Sequence, residues 1–149
     1  MSTATKRPRR GGWKPLGETV GGSRSKQVLI SLGTGQAKAL NTAAANRTVP
    51  RAHNLGVRPM TRAELLREIV AWGLTRSVRD IRAQDPVPIA PAGTPASERQ
   101  ITWIPLAGQM DALTKQAGSV FKTSDPDAGD RNELLRRHIA AWLAEHKED

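Results

Sequence analysis

The sequence contains no cysteine, only three histidines and few aromatic residues, 3% in all. Without cysteine there are no disulfides, no thiolate metal sites and no thiol nucleophile, and His53, His138 and His146 alone give metal or triad chemistry little to build on. No run of about 18 or more apolar residues occurs, which excludes a membrane-spanning helix, and Met1 to Lys14 lacks the apolar centre of a secretory signal. A cytoplasmic protein associated with nucleoid or plasmid is expected. Enzyme motifs are missing as well: no glycine-rich phosphate loop, no HExxH, no serine nucleophile elbow and no carboxylate pair on a defined scaffold. The expectation is a protein that is not an enzyme and that takes neither cofactor nor metal. Scarce aromatics also remove the stacking platforms on which single-stranded RNA is read.

What is present is positive charge, unevenly placed. Met1 to Gln84 holds sixteen basic and four acidic residues, whereas Asp85 to Asp149 holds seven basic and ten acidic. A basic front half calls for a polyanion, and a mildly acidic back half for a different contact. With 149 residues, 38% of them hydrophobic, the chain makes one small domain or two half-sized units that share a core. Residues 1–25 are basic, glycine-rich and poor in apolar side chains, so they are expected to be a disordered tail. Residues 85–98 carry four prolines and almost no periodicity, which predicts an extended linker.

The linker separates two related stretches, 26–84 and 99–149. Lys26 to Ala44 set above Arg99 to Ala117, at a shift of 73, matches Gln27/Gln100, Gly35/Gly108, Gln36/Gln109, Ala39/Ala112, Leu40/Leu113 and Ala44/Ala117. Thr61 to Leu74 set above Asp130 to Leu143, at a shift of 69, matches Arg62/Arg131, Glu64/Glu133, Leu65/Leu134, Leu66/Leu135, Arg67/Arg136, Ala71/Ala140 and Leu74/Leu143. The first copy therefore carries four extra residues between its two matched blocks. Each copy reads strand, helix, helix. Val28, Ile30 and Leu32 alternate with Gln27, Leu29 and Ser31, as Ile101 and Trp103 do with Gln100 and Thr102, the period of a half-buried strand. A short helix follows, then a loop, rich in Pro and Gly over Asn46 to Pro59 in the first copy. Thr61-x-x-Glu64 and Asp130-x-x-Glu133 are expected to cap the second helix of each copy, whose apolar face is Leu65, Leu66, Ile69, Val70 and Leu74, or Leu134, Leu135, Ile139, Trp142 and Leu143. Trp72, Trp103 and Trp142 fall in core positions.

One short strand and two helices cannot bury a core alone. Two copies can, by pairing their strands as an antiparallel ribbon over four interlocked helices. At this point the sequence resembles the ribbon-helix-helix DNA-binding proteins, the Arc and MetJ class of β-ribbon readers, over Lys26 to Leu74 and Arg99 to Leu143, with RxELLR at Arg62 to Arg67 and Arg131 to Arg136. The fold expected is mainly α with a two-stranded antiparallel β-ribbon, a tandem ribbon-helix-helix single-chain pseudo-dimer. Its layout is similar to the TraY relaxosome proteins of conjugative plasmids and to the single-chain ribbon-helix-helix protein of the VirC operon, which acts in T-DNA processing.

A two-stranded ribbon fits the DNA major groove, where its outer side chains meet base edges. The expected readers are Gln27, Leu29, Ser31, Gln100, Thr102 and Ile104. Gln can pair with adenine and Ser or Thr with several bases, while Leu29 and Ile104 can touch only thymine methyls. The unlike strands predict a non-palindromic site. A slip of one residue would exchange the faces, and Pro105 leaves both registers of the second strand open. The resemblance also implies phosphate binding at the start of the second helix of each copy, by Thr61 and Arg62 and by Arg131, the latter beside Asp125, Asp127 and Asp130. Lys26 and Arg99 at the strand starts join this set. In the tail, Lys6, Arg7, Arg9, Arg10 and Lys14 either follow phosphates or enter a narrow minor groove, or they serve only solubility. His138 is expected to be a packed or surface residue, and Arg136 with Arg137 a protein contact.

The partner expected is double-stranded DNA, bound by a monomeric pseudo-dimer that can associate further on it, with no membrane involved. The resemblance implies an accessory factor at a transfer origin or T-DNA border whose protein partners are a relaxase, a ParA-like ATPase or a coupling protein. A transcriptional repressor or plasmid partition factor is the alternative, and a basic adaptor without sequence preference is a third.

Overall fold

The computed structural model describes residues 27–146. The tail residues Lys6, Arg7, Arg9, Arg10 and Lys14, together with Lys26, lie outside the described residues. The elements in chain order are β1 (Val28–Ser31), α1 (Gln36–Ala45), β2 (Thr48–Pro50), β3 (Val57–Pro59), α2 (Arg62–Gly73), α3 (Val78–Ala83), α4 (Ala96–Arg99), β4 (Gln100–Trp103), α5 (Gln109–Phe121) and α6 (Ala128–Glu145). The described chain is mainly helical, with two antiparallel sheets of two strands each, β1 with β4 and β2 with β3.

The β1/β4 ribbon is built from the two strands that resemble each other in sequence. Val28 faces Trp103, Leu29 faces Thr102, Ile30 faces Ile101 and Ser31 faces Gln100. Under the shift of 73, Leu29 is therefore opposite its own equivalent, and the pairs on either side exchange. The alternation of the strands sends Ile30, Leu32, Ile101 and Trp103 into the core, where they meet Leu40, Leu65, Leu66, Ile69, Leu113, Leu134, Ile139 and Trp142. The second strand thus takes the register in which Ile101 and Trp103 face inward. Burying this many large apolar side chains at about 1.5–3 kcal/mol each is the main force holding ribbon and helices together.

Two pairs of polar bonds repeat across the molecule. Gln36 accepts from the Gly33 amide at 2.8 Å and donates to the Arg136 carbonyl at 3.0 Å. Gln109 accepts from the Leu106 amide at 2.9 Å and donates to the Arg67 carbonyl at 3.1 Å. Arg67 in turn donates to the Ile104 carbonyl, and Arg136 to the Ser31 carbonyl, at 2.8 and 3.0 Å. Every partner is the equivalent of the other under the two sequence shifts; the bonds from Gly33 and Leu106 stay within a block, and the other four cross from one block into the other. The helices α1 and α5 both start from a glycine at positive φ, Gly35 at 79° and Gly108 at 84°, a conformation that a residue with a Cβ adopts only at a cost.

The structure departs from the sequence reading in several places. The stretch Asn46 to Pro59 is not a plain loop: Thr48–Pro50 and Val57–Pro59 pair as a hairpin, Val49 opposite Arg58. A further helix, α3, follows α2 and starts at Ser77, whose hydroxyl accepts from the Asp80 amide. The cap of α6 is one turn earlier than expected. Asp127 caps it in a reciprocal box with Asp130, because Glu133 is held by Arg136 and Arg137 instead. The proline-rich segment does not hang free: Val87 donates to Glu133 and accepts from Arg136, and the Ala90 amide donates to Leu32. Gly33 permits this approach, since a Cβ there would lie 2.8 Å from Val87. Finally, Trp103 and Trp142 are in the core, but Trp72 is only half-buried, with the Arg76 guanidinium 5.2 Å above its ring.

Arg136 and Arg137 are also not the protein contact that their charge suggested. They are 5% and 8% exposed and turn inward onto Glu133 and onto the carbonyls of Ser31, Val87, Ile81 and Gln84. A cation so enclosed is spent on satisfying internal carbonyls, which stabilise it in place of water.

Candidate nucleic-acid interface

The outer face of the ribbon carries the side chains left over when the apolar ones turn inward. Gln27, Leu29, Gln100 and Thr102 are exposed, Leu29 by 52%. Ser31, on β1, and Ile104, just after β4, are half-buried. The structure brings four of the expected readers onto one face, Leu29 beside Thr102 and Ser31 beside Gln100, with Gln27 and Ile104 just outside the paired residues. The face combines two amides, two hydroxyls and two aliphatic groups, a set that can meet base-edge donors, acceptors and thymine methyls.

The start of α2 is a filled cap. The Thr61 hydroxyl accepts from the Glu64 amide at 3.1 Å, and the Glu64 carboxylate accepts from the Thr61 amide at 2.8 Å. Arg58, on β3, donates to both Glu64 oxygens at 2.8 and 2.7 Å. These bonds, led by that of Arg58, lower the Glu64 carboxyl to about 2. Two of the donors that a phosphate would seek at this helix end are thus taken by the chain itself. Arg62 remains, half-buried, 3.5 Å from the Asn41 side-chain oxygen, and the Thr61 hydroxyl keeps its own proton to donate.

The start of α6 differs in sign. Asp127 and Asp130 occupy the cap, with Arg131 half-buried behind them. Arg99 is half-buried as well, and its Nε donates to the Thr94 carbonyl at 2.8 Å. The starts of α2 and α6 therefore differ in the charge around them, with Arg58 and Arg62 at the first and Asp127 and Asp130 at the second.

No family model, curated protein or solved structure matches this chain. Among the described residues no helix is long and apolar enough to cross a membrane, and no group of three or more His, Asp or Glu side chains is placed to hold a metal ion.

Buried polar chemistry is concentrated around His138, which the sequence left between core and surface. It is fully buried, with Nε2 2.8 Å from Gln116 Oε1 and Nδ1 3.1 Å from an Arg76 nitrogen. Arginine only donates, so Nδ1 accepts and the proton sits on Nε2. Burial, with the Arg76 charge beside it, pushes the imidazole down to about 3. The ring is a neutral structural member between α2 and α6. It offers no acid or base to a ligand.

Sequence reasoning missed the basic side chains of the hairpin. Arg51 and Arg58, with His53 between them, stand between α1 and α2 in a run, residues 46–63, that contains no Asp or Glu. That absence, together with Pro50 and Pro59, was the available signal.

Proposed function

We propose that the chain is a tandem ribbon-helix-helix protein, a single-chain pseudo-dimer that binds duplex DNA sequence-specifically with the β1/β4 ribbon in the major groove. One observation carries this reading: Leu29 lies opposite its equivalent Thr102 while Gln36 and Gln109 each cross into the other block. Two subunits of a ribbon-helix-helix dimer would be related in the same way about a two-fold axis. Here both halves belong to one chain, so a single copy carries a complete ribbon.

In this reading Gln27, Leu29, Ser31, Gln100, Thr102 and Ile104 read bases. Arg62 and Thr61 hold a phosphate at the α2 end, Arg131 does so weakly beside its aspartates, and Arg99 with Lys26 and the basic tail adds affinity without sequence preference. The likeness of layout to the TraY and VirC-operon groups supports an accessory role in conjugative or T-DNA transfer, next to a relaxase, a ParA-like ATPase or a coupling protein.

Selection of bound duplexes from a random pool tests this reading at about 150 mM salt, where phosphate-only binding is already weakened. The expected result is a defined asymmetric motif beside a transfer origin or border. A motif inside promoters or at a partition site would replace transfer by repression or partition. No enrichment of any duplex would overturn the DNA-reading ribbon.

A further inference from the structure

We propose that the β2–β3 hairpin is a second DNA-binding element, a wing that grips the duplex beyond the ribbon on one flank only; this rests on the ribbon reading above. The helices α1 and α2 are joined by residues 46–61, whereas α5 and α6 are joined by residues 122–127 alone. The longer connection forms the hairpin. The shorter one is a tight turn with Asp125 and Asp127.

The hairpin is firmly seated. At its base the Met60 amide donates to the Arg47 carbonyl at 2.9 Å, and Arg58 locks β3 onto Glu64 in the first turn of α2. That helix is fixed to the ribbon by the bond from Arg67 to Ile104, and six residues of helix, about 9 Å, separate Thr61 from Arg67. The wing thus stands at the start of α2, the helix whose Arg67 reaches the residue that follows β4. Its two strands of three residues carry the tip about 10 Å from that base.

The tip has the chemistry of a polyanion contact. The Arg51 amide donates to the Gly56 carbonyl, and the Arg51 Nε to the Val57 carbonyl at 3.1 Å, which closes the turn and leaves the outer guanidinium nitrogens facing solvent. His53 at φ 59° and Gly56 at φ 93° make the turn tight. Arg51 and His53 are exposed, next to Leu55 and Val57 at 73% and 60% exposure. Cations flanking bare aliphatic groups, with no carboxylate between residues 46 and 63, suit phosphates together with the sugar edges of an adjacent minor groove. The acidic turn that takes the hairpin's place between α5 and α6 repels the same backbone, so the grip is one-sided.

Hydroxyl-radical footprinting and salt titration of the full chain on its selected duplex test the wing, with the variants Arg51→Ala, Arg51→Lys and Leu55→Ser. Protection should run about five base pairs, half a helical turn, further on one flank than on the other. That flank should adjoin the half-site whose preference is lost in Gln27→Ala. Arg51→Ala should remove the extension and lower the salt slope by about one, while Arg51→Lys keeps the slope. Because Arg51→Ala also loosens the turn, Leu55→Ser is the independent check: it touches nothing buried and should shorten the extension with the slope unchanged. Equal flanks, or footprints and slopes unaltered in Arg51→Ala and Leu55→Ser while the motif is still bound, would overturn the wing and leave the ribbon standing. Hairpin variants that keep the full footprint but no longer bind a protein partner would overturn it too. A chain that protects no motif would instead overturn the ribbon reading.

Discussion

Gln36 and Arg136 stand 100 positions apart, yet the side-chain amide of the first donates to the backbone carbonyl of the second at 3.0 Å. The same glutamine accepts from Gly33, so one buried side chain satisfies a strand end in its own block and a helix in the other. Gln109 does the same in reverse. These glutamines are polar residues that the core requires.

Replacing either one by leucine leaves one backbone amide, of Gly33 or Leu106, without its partner and removes a second bond to a helix carbonyl. Gln36→Leu and Gln109→Leu should each lower stability by about 1–3 kcal/mol, the cost of an unsatisfied buried group. The two losses should be similar, because the environments are equivalent. Urea unfolding measures both, and a loss confined to one variant would contradict the equivalence of the two halves.

Glu133 holds the proline-rich segment in place through its cations. It receives Arg136 at 2.9 Å, Arg137 at 2.8 Å and the Val87 amide at 3.2 Å. Burial raises its carboxyl, but the bonds from Arg137, Val87 and Arg136 outweigh this and hold it below the usual value. Glu133→Gln strands two nearly buried guanidinium groups and should cost about 3 kcal/mol. The contribution of the carboxylate is present above its unfolded value near 4.5 and fades as pH falls through the lowered folded one. Protease cleavage within residues 85–95 should accelerate in the variant at pH 7, and unchanged cleavage would refute the clamp.

His138 predicts the opposite proton balance to an ordinary surface histidine. Unfolded, the ring takes a proton near 6.5, but folded it does so only near 3. Between those values the unfolded state binds the extra proton, so stability falls with pH by up to about 1.4 kcal/mol per unit. His138→Gln has no such group. The stability gap between wild type and variant should therefore narrow from pH 7 to pH 4 in denaturant titrations, and a constant gap would show that the ring is not held neutral. Gly73→Ala probes the same contact from the other side: its Cβ would lie 2.5 Å from the ring, a clash worth about 1–3 kcal/mol.

The parts legible in the sequence were those set by local periodicity and by comparison of one block with the other. Ile30, Leu32, Ile101 and Trp103 announced their face by alternation, and Thr61 with Glu64 announced a cap. The parts that stayed hidden depend on which of two partners a side chain meets in space. Glu133 sits where Glu64 caps α2, but two arginines from its own helix capture it, and the cap passes to Asp127 and Asp130. Arg136 and Arg137 read as surface charge because nothing local shows the carbonyls that converge on them. On the candidate interface, the outward face of Leu29, Ser31, Gln100 and Thr102 followed from alternation, while the hairpin left no such sign, since three-residue strands ending in proline leave no periodic trace.

Base reading by the glutamines can be separated from general affinity. Gln27 and Gln100 are exposed, and among the described residues neither side chain makes a hydrogen bond, so Gln27→Ala and Gln100→Ala should leave the melting temperature unchanged. Each should lower affinity for the selected duplex by about 1–3 kcal/mol and leave binding to scrambled duplex as it was. Equal losses on both duplexes would reassign these residues to the DNA backbone.

The asymmetry of the ribbon can be removed by two changes on its outer face. Gln27 and Gln100 are already alike, so the difference between the halves lies in Leu29 against Thr102 and in Ser31 against Ile104. Leu29→Thr with Ile104→Ser makes the two strands present the same three groups. Leu29 is more than half exposed, and Ile104 contributes its carbonyl rather than its side chain to the Arg67 bond, so folding should be preserved. If the ribbon reads the major groove about the Leu29/Thr102 pair, the motif selected by the double variant should become close to palindromic at its centre, while the hairpin still extends protection on one flank. A motif that stays as asymmetric as that of the wild type would place its recognition outside the ribbon.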